Sequence, residues 1–390
     1  MAGLGGGIAM KRLVAIGIAG LVVLAIAAFG VLWFSPSVQD GAMKRTALGR
    51  LGSGDNSALL TDNSLHVFLC GTGSPMPDPT RANACTAVIA GGHIVVIDTG
   101  PGSWSRIVAG KLPAGKIGTI LFTHLHSDHI GALGEFAVQS WIGGRVVPLE
   151  VYGPGKLEGS VPPLNSLGHA YGSSGTVDVV RGFAEAFDSD SGYRILHHGT
   201  DYLSPEGARI IGHEIARPAP NTLVPVFDKD GLQISAFLVD HHPVEPAFGY
   251  RVEYQGRVAI ISGDTKRTES VELFSKGADL LVHEALNHSM SSIISEALTE
   301  TDNLRLAKMV HDTLDYHASP VDAAEIARDA GVPMLVLTHI VPPLPNALAR
   351  HIFMRGVAEA RGDGETVLGY DGLLVTLPGN SDKIEISDLM

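Results

Sequence analysis

Cysteine is almost missing from this chain of 390 residues: Cys70 and Cys85 are the only two. After Cys85 no position can present a thiolate, so the later part of any metal site must rest on imidazole and carboxylate. The pair itself lies in apolar, strand-like surroundings. It fits either a disulfide made in an oxidising compartment or two small buried residues. Positive charge is also scarce. Lys and Arg number 28 against 41 Asp and Glu, a formal net charge of −13. That argues against a polyanion as the preferred partner, although a local basic patch can still bind one. No short tandem repeat or long low-complexity tract is visible, so a repeat architecture is set aside.

A long run both uncharged and apolar stands near the N-terminus. Lys11 and Arg12 precede an apolar stretch from Leu13 to Phe34, close to the roughly 20 residues a helix needs to cross a bilayer. The basic flank should stay cytoplasmic and send the remainder across, with Trp33 and Phe34 at the interface. Lys44, Arg45 and Arg50 follow closely and weaken that orientation signal. Ala25-Ile26-Ala27 resembles a signal-peptide cleavage site, so a cleaved leader is the alternative, and a soluble helix a third. The expected division is a membrane anchor or signal segment over 1–34, a linker rich in Gly, Ser, Asp and Ala over 35–64, and one large domain over 65–390.

The chemistry is concentrated in Thr123-His124-Leu125-His126-Ser127-Asp128-His129. Imidazole nitrogen and carboxylate oxygen suit Zn²⁺ and similar ions. The apolar run 119–122 leads straight into the motif and reads as a buried strand with the ligands on the loop at its end. Four more apolar runs end in the same manner: 94–97 before Asp98, 234–239 before Asp240-His241-His242, 258–261 before Ser262-Gly263-Asp264, and 334–337 before Thr338-His339. One such end is usually structural, but several beside a histidine cluster point to a metal centre. Segments 103–109, 131–141 and 320–330 read as helices, the last with Ser319 as cap, Pro320 in the first turn and Gly331 at the end. Between 153 and 225 the pattern is poor and reads as loops and short helices, with His169, His197, His198 and His213 scattered through it. His197-His198 is the pair there for substrate contact.

These elements resemble the metallo-β-lactamase fold superfamily, above all its ribonuclease Z and arylsulfatase-like branch. Gly71-Thr72-Gly73-Ser74-Pro75, Asp98-Thr99-Gly100, the 124–129 motif, Asp240-His241 with Gly249-Tyr250-Arg251, Gly263-Asp264-Thr265, His283-Glu284-Ala285 and Leu337-Thr338-His339 carry the resemblance in order. It implies an α/β fold, an αββα sandwich with the metals at one edge between the sheets, here preceded by a transmembrane helix. It implies two divalent ions, Zn²⁺ first with Mn or Fe as alternatives. His124, His126 and His241 would bind one ion, Asp128, His129 and His339 the other, and Asp264 would bridge them; His242 stays open as a rival to His241. Asp98 would orient a ligand histidine. Asp128, Glu284 and His317 are the implied catalytic residues, with Glu284 supporting His317 as general acid near the leaving group. The absence of later cysteines argues against the lactamases of this fold that use a thiolate, and His126 against the redox members, which carry Glu there.

The implied activity is metal-dependent ester hydrolysis with a metal-bridging hydroxide as nucleophile. Ribonuclease Z proteins commonly carry a long arm for tRNA. Here Arg251 is followed almost at once by Gly263-Asp264, and 153–225 shows no Gly/Lys-rich basic arm. A small ester substrate is therefore expected (sulfate ester, phosphodiester or lactone), with ribonuclease Z-like cleavage of RNA as the alternative. The remaining expected partners are the membrane, through the N-terminal helix, and a second copy in a homodimer. The expected location is the periplasm or cell exterior, anchored, or secreted after cleavage.

Overall fold

The computed structural model describes residues 5–51, 54–157 and 174–390. The chain falls into two compact units, Met1–Asp55 and Asn56–Met390. The first consists of α1 (Gly5–Phe34) and α2 (Pro36–Leu51). The stretch Leu13–Phe34 is long and apolar enough to cross a membrane, with a mean hydropathy of 2.7; a signal sequence meets the same condition. α2 occupies most of what reads from sequence as a linker. Its Ala, Met, Lys, Arg and Leu residues are good helix formers, and Pro36 suits a first turn.

The second unit holds two mixed sheets that face each other. The strands are β1 (Ser64–Gly71), β2 (Cys85–Ala90), β3 (His93–Ile97), β4 (Ile117–Leu121), β5 (Leu149–Pro154), β6 (Ile210–Ile215), β7 (Val224–Lys229), β8 (Leu232–Val239), β9 (Ala247–Tyr254), β10 (Arg257–Ile261), β11 (Leu280–Leu286), β12 (Met334–Val341), β13 (Glu365–Leu368), β14 (Leu373–Pro378) and β15 (Glu385–Asp388). The first sheet runs β15-β14-β1-β2-β3-β4-β5-β6 and the second β13-β12-β11-β10-β9-β8-β7. Each has a parallel stretch, β3 to β6 in one and β10 to β13 in the other.

Burial on both faces explains the unbroken apolar runs. In β1, Leu65, Val67 and Leu69 point into the core between the sheets with Ile234, Phe248, Val282 and Val336. Phe68 and Cys70 point the other way, toward α3 (Ser103–Ala109) and the later helices of that layer. The outer face of the second sheet packs on the helix Pro320–Asp329, through Ala323, Ala324, Ile326 and Ala327. Helix, sheet, sheet and helix thus form the expected αββα sandwich. Cys70 and Cys85 are joined in a disulfide across β1 and β2, and both are buried.

Between 153 and 225 the structure departs from the loop-rich reading. A 23-residue helix, Thr176–His198, packs on β6, a strand the sequence pattern does not reveal. Residues 158–173, including His169, lie outside the described residues. His197 and His198 are exposed in the last helical turn, with their rings 4.8 Å apart.

At one edge the sheets are tied to each other directly. Phe248 N donates to Thr123 O at 2.9 Å and Ile340 N to Thr72 O at 2.9 Å. The Tyr250 hydroxyl donates to Phe122 O at 2.6 Å. The ends of β4, β9, β12 and the turn after β1 are therefore held together, and the polar residues gather there.

Candidate metal centre

The histidine motif begins where β4 ends. His124 is fully buried. His126 precedes a one-turn helix, α4 (Ser127–Ile130), which carries Asp128 and His129 inward. Thr123, not singled out by sequence, starts the arrangement. Its N–H and hydroxyl donate to Asp98 at 2.9 and 2.8 Å. The same carboxylate accepts from His129 Nδ1 at 2.8 Å. That bond leaves His129 Nε2 for the cluster, the usual way a carboxylate orients a ligand imidazole.

The later strands complete the set. His241 follows β8, Asp264 follows β10, and His339 lies within β12. His124, His126 and His241 bring ligand atoms within 4.8 Å of one another, and so do Asp128, His129 and His339. Asp264 lies between the groups: its Oδ2 is 3.3 Å from His129 Nε2, 3.3 Å from His339 Nε2, 3.9 Å from His124 Nε2 and 4.0 Å from His241 Nε2. His241 Nδ1 donates to Tyr316 O at 3.1 Å, a backbone acceptor with no sequence signature. His242 is excluded from the cluster; its side chain is exposed and lies 3.4 Å from Glu245.

Beside these groups His317 Nδ1 donates to Glu284 Oε1 at 2.9 Å. That oxygen also accepts from Thr265 N and Ala318 N, at 3.2 and 3.0 Å. His317, Glu284 and His339 converge within the same span as the other groups.

The electrostatics suit cations. Burial pushes His124 and His126 down and His241 down to about 3, so their ring nitrogens are lone-pair donors. Burial also opposes charge on Asp128, but His129 and a hydrogen bond from His339 overcome it and hold the carboxyl down at about 2. His339 and His129 balance Asp264 similarly, which stays well below the usual carboxylate range. Among the described residues, the buried atoms His129 Nε2, His339 Nδ1 and Glu284 Oε2 have no hydrogen-bond partner. A cavity of about 30 Å³ is lined by Asp98, His129, Asp264, Glu284 and His339, among others. Buried polar atoms rarely go unmatched. Against burial, Asp264 with its neighbouring carboxylates instead raises His129 and His339, the two rings that line this space. An ion there would replace their protons, and the imidazole and carboxylate donors of the cluster fit divalent ions of the Zn²⁺ type.

Comparison with known proteins agrees with this geometry. A family model described as "Metallo-beta-lactamase superfamily" matches residues 79–339. Ribonuclease Z of Mycolicibacterium paratuberculosis is 36% identical over 310 residues, covering 79% of this chain and 96% of that protein. Ribonuclease Z of Mycobacterium marinum is 35% identical with the same coverage. Among solved structures, the short form of human tRNase Z has a TM-score of 0.53 at 22% identity, covering 80% of this chain and 99% of that one. The metallo-beta-lactamase fold protein YhfI of Bacillus subtilis has a TM-score of 0.54 at 19% identity, with the same coverage.

The turn that delivers Asp264 needs a glycine. Gly263 has φ +61, and a Cβ there would sit 2.5 Å from Phe248 O and 3.0 Å from Thr123 Cβ. Gly263→Ala should cost about 1–3 kcal/mol through strain and displace Asp264. The expected outcome is a lower Tm and reduced metal content; unchanged values in both would show that the turn tolerates a side chain.

Proposed function

This chain belongs to the metallo-β-lactamase superfamily and is a hydrolase, and from that premise we propose that it is a two-metal enzyme cleaving small ester-like substrates outside the cytoplasm. The observation that carries the reading is the paired donor set around Asp264, with the Glu284–His317 pair beside it. His124, His126 and His241 would hold one ion and Asp128, His129 and His339 the other, with Asp264 placed between the two groups. When bound, two such ions supply a water-derived nucleophile at neutral pH and take up the negative charge that develops on the ester. The chain's own groups position the parts. Asp98 and the Tyr316 carbonyl fix the rings of His129 and His241. Glu284 takes up His317 Nδ1, which leaves Nε2 for proton transfer to the leaving-group oxygen.

A sulfate ester, a phosphodiester or a lactone fits this chemistry. The net charge of −13 favours a small substrate over a polyanion. So does the helix Thr176–His198, which carries Asp178, Glu185, Asp188 and Asp190 against Arg181 and Arg194. The disulfide supports an oxidising compartment. The apolar N-terminal helix supports a membrane-anchored domain in the periplasm or outside the cell, or secretion after cleavage. A second reading, cleavage of RNA, is favoured by one observation: relatives at 35–36% identity over 96% of their length bear the name ribonuclease Z.

The deciding experiment uses residues 56–390, Zn²⁺-loaded, on aryl sulfate, bis-aryl phosphate, lactone and precursor tRNA. The proposal expects turnover of at least one small ester and none of tRNA; efficient tRNA cleavage with inert small esters would establish the second reading.

The Glu284–His317 geometry adds a further expectation. His317→Ala should slow esters with poor leaving groups by about 10²–10⁴-fold, while activated nitrophenyl esters change little and metal content stays constant. Equal losses on both substrate types would make the pair structural.

Location is tested separately. In spheroplasts of the source cell, added protease should digest the catalytic domain of the full-length, membrane-fractionating protein. Protection until lysis would place the domain in the cytoplasm.

A further inference from the structure

One buried carboxylate outside the cluster has no part in the chemistry described so far. Asp371 lies between β13 and β14 and is 7% exposed. It accepts four hydrogen bonds: Thr72 N at 2.9 Å, Thr72 Oγ1 at 2.7 Å, Ala82 N at 2.6 Å and Arg106 Nε at 3.0 Å. Arg81 Nη1 donates to the same threonine hydroxyl at 2.5 Å and to Gly369 O at 2.7 Å. Thr72 is thus held at its amide and at its side chain, which leaves its carbonyl aimed in one direction.

That carbonyl accepts from Ile340 N at 2.9 Å. Ile340 follows His339, and His339 sits at a break in the β11–β12 ladder. Glu284 is opposite Thr338 and Ala285 is opposite Ile340, so His339 is skipped. Its φ is +47, uncommon for a residue with a side chain. A bulge of this type re-aims a side chain, and here it turns His339 Nε2 to within 3.2 Å of Asp128 and 3.3 Å of Asp264. A strained conformation persists only where its surroundings over-determine it. The bond from Ile340 reaches across to the turn after β1, in the other sheet.

We propose that Asp371 is a positioning residue for His339: by fixing Thr72 it fixes the acceptor that pins the bulge, so the imidazole is preset for its ion before the ion arrives. This rests on the reading of His339 as a ligand. The coupling runs through two hydrogen-bonded steps, Asp371 to Thr72 and Thr72 to Ile340, and then the peptide link to His339; Asp371 itself touches neither substrate nor metal. Arg106, on α3, and Arg81 join the same anchor, so the pin is set by the first sheet while the ligand belongs to the second.

The test compares Asp371→Asn with Asp279→Asn in otherwise intact protein. Asp279 is a matched control: its carboxylate accepts from Val258 N at 2.8 Å and pairs with Arg257 at 3.0 Å, at the end of β10 remote from Asp264. Zn²⁺ is titrated into stripped protein against a chromophoric chelator, and Tm is recorded for each variant. Wild type should take up two ions. Asp371→Asn should weaken one of them by about 10–100-fold, the range for lost support of a ligand, and leave the other unchanged. Asp279→Asn, at a comparable fall in Tm, should bind both as wild type does. If Asp371→Asn fails to fold, Thr72→Val, which loses the hydroxyl bond to Asp371, is read by the same criterion with a smaller shift in the same direction. Two ions in wild type with unchanged affinities in the variant overturn this inference alone. Equal weakening in Asp279→Asn also overturns it, as a general loosening. A wild type that takes up no ion sinks the metal reading and this one together.

Discussion

A crowd of imidazoles around one buried carboxylate is the constraint to which the rest of the domain is fitted. Asp264 is withdrawn from water beside four histidine rings, and isolated buried charge is too costly to persist unpaired. The protein meets this unevenly. His124, His126 and His241 are kept neutral by burial. Burial opposes charge on His129 and His339 as well, yet Asp264 and Asp128 raise both above the ordinary imidazole value, with Asp98 adding to the effect on His129. Without ions the positive charge beside the carboxylates must come from protons on those two rings. Ions and protons therefore compete for the same nitrogens, and metal binding would release protons.

Holding such a cluster requires a rim that does not breathe. The ties from Phe248 to Thr123, Tyr250 to Phe122 and Ile340 to Thr72 join strand ends from opposite sheets. They lie where the candidate ligands emerge, so the same ties that join the sheets set His241, Asp264 and His339 of the second sheet against the 124–129 segment of the first. Glycine enters for the same reason. Gly249 leaves space for the Phe237 ring, whose nearest atom would be 2.4 Å from a Cβ, and Gly263 lets β10 turn beneath Thr123.

Much of this was legible in the sequence because it depends on short apolar runs ending in a donor. The run before Asp98, the run before the histidine motif and that before Asp264 became β3, β4 and β10, with those residues just past the strand ends. The run before His339 became β12, which continues to Val341, so His339 lies at a bulge inside the strand and not at its end. The choice between His241 and His242 was not legible, since adjacent positions differ only in which face they take. The Cys70–Cys85 pair was equally open, because a buried thiol and a buried disulfide leave the same apolar neighbours in sequence. The helix Thr176–His198 went unread: its Gly, Ser and Asp residues resemble loop, and its apolar residues form no clean stripe. Backbone acceptors were invisible altogether. Tyr316 O, Thr72 O and Phe122 O steer the site, and any residue type presents a carbonyl. The expectation against nucleic acid came from net charge, a property of the whole surface and not of the site, and from the lack of a Gly/Lys-rich basic arm.

The donors are also ordered along the chain in a way that bears on biosynthesis. His124, His126, Asp128 and His129 leave the ribosome early, His241 and Asp264 well after them, and His339 close to the end. Neither triad is complete until a strand from the second sheet has been made: the first waits for His241, the second for His339. A growing chain thus presents only fragments of each candidate donor set until the second sheet is made. Ions held by this set would be taken up only as both sheets come together, from the pool of whichever compartment the domain folds in.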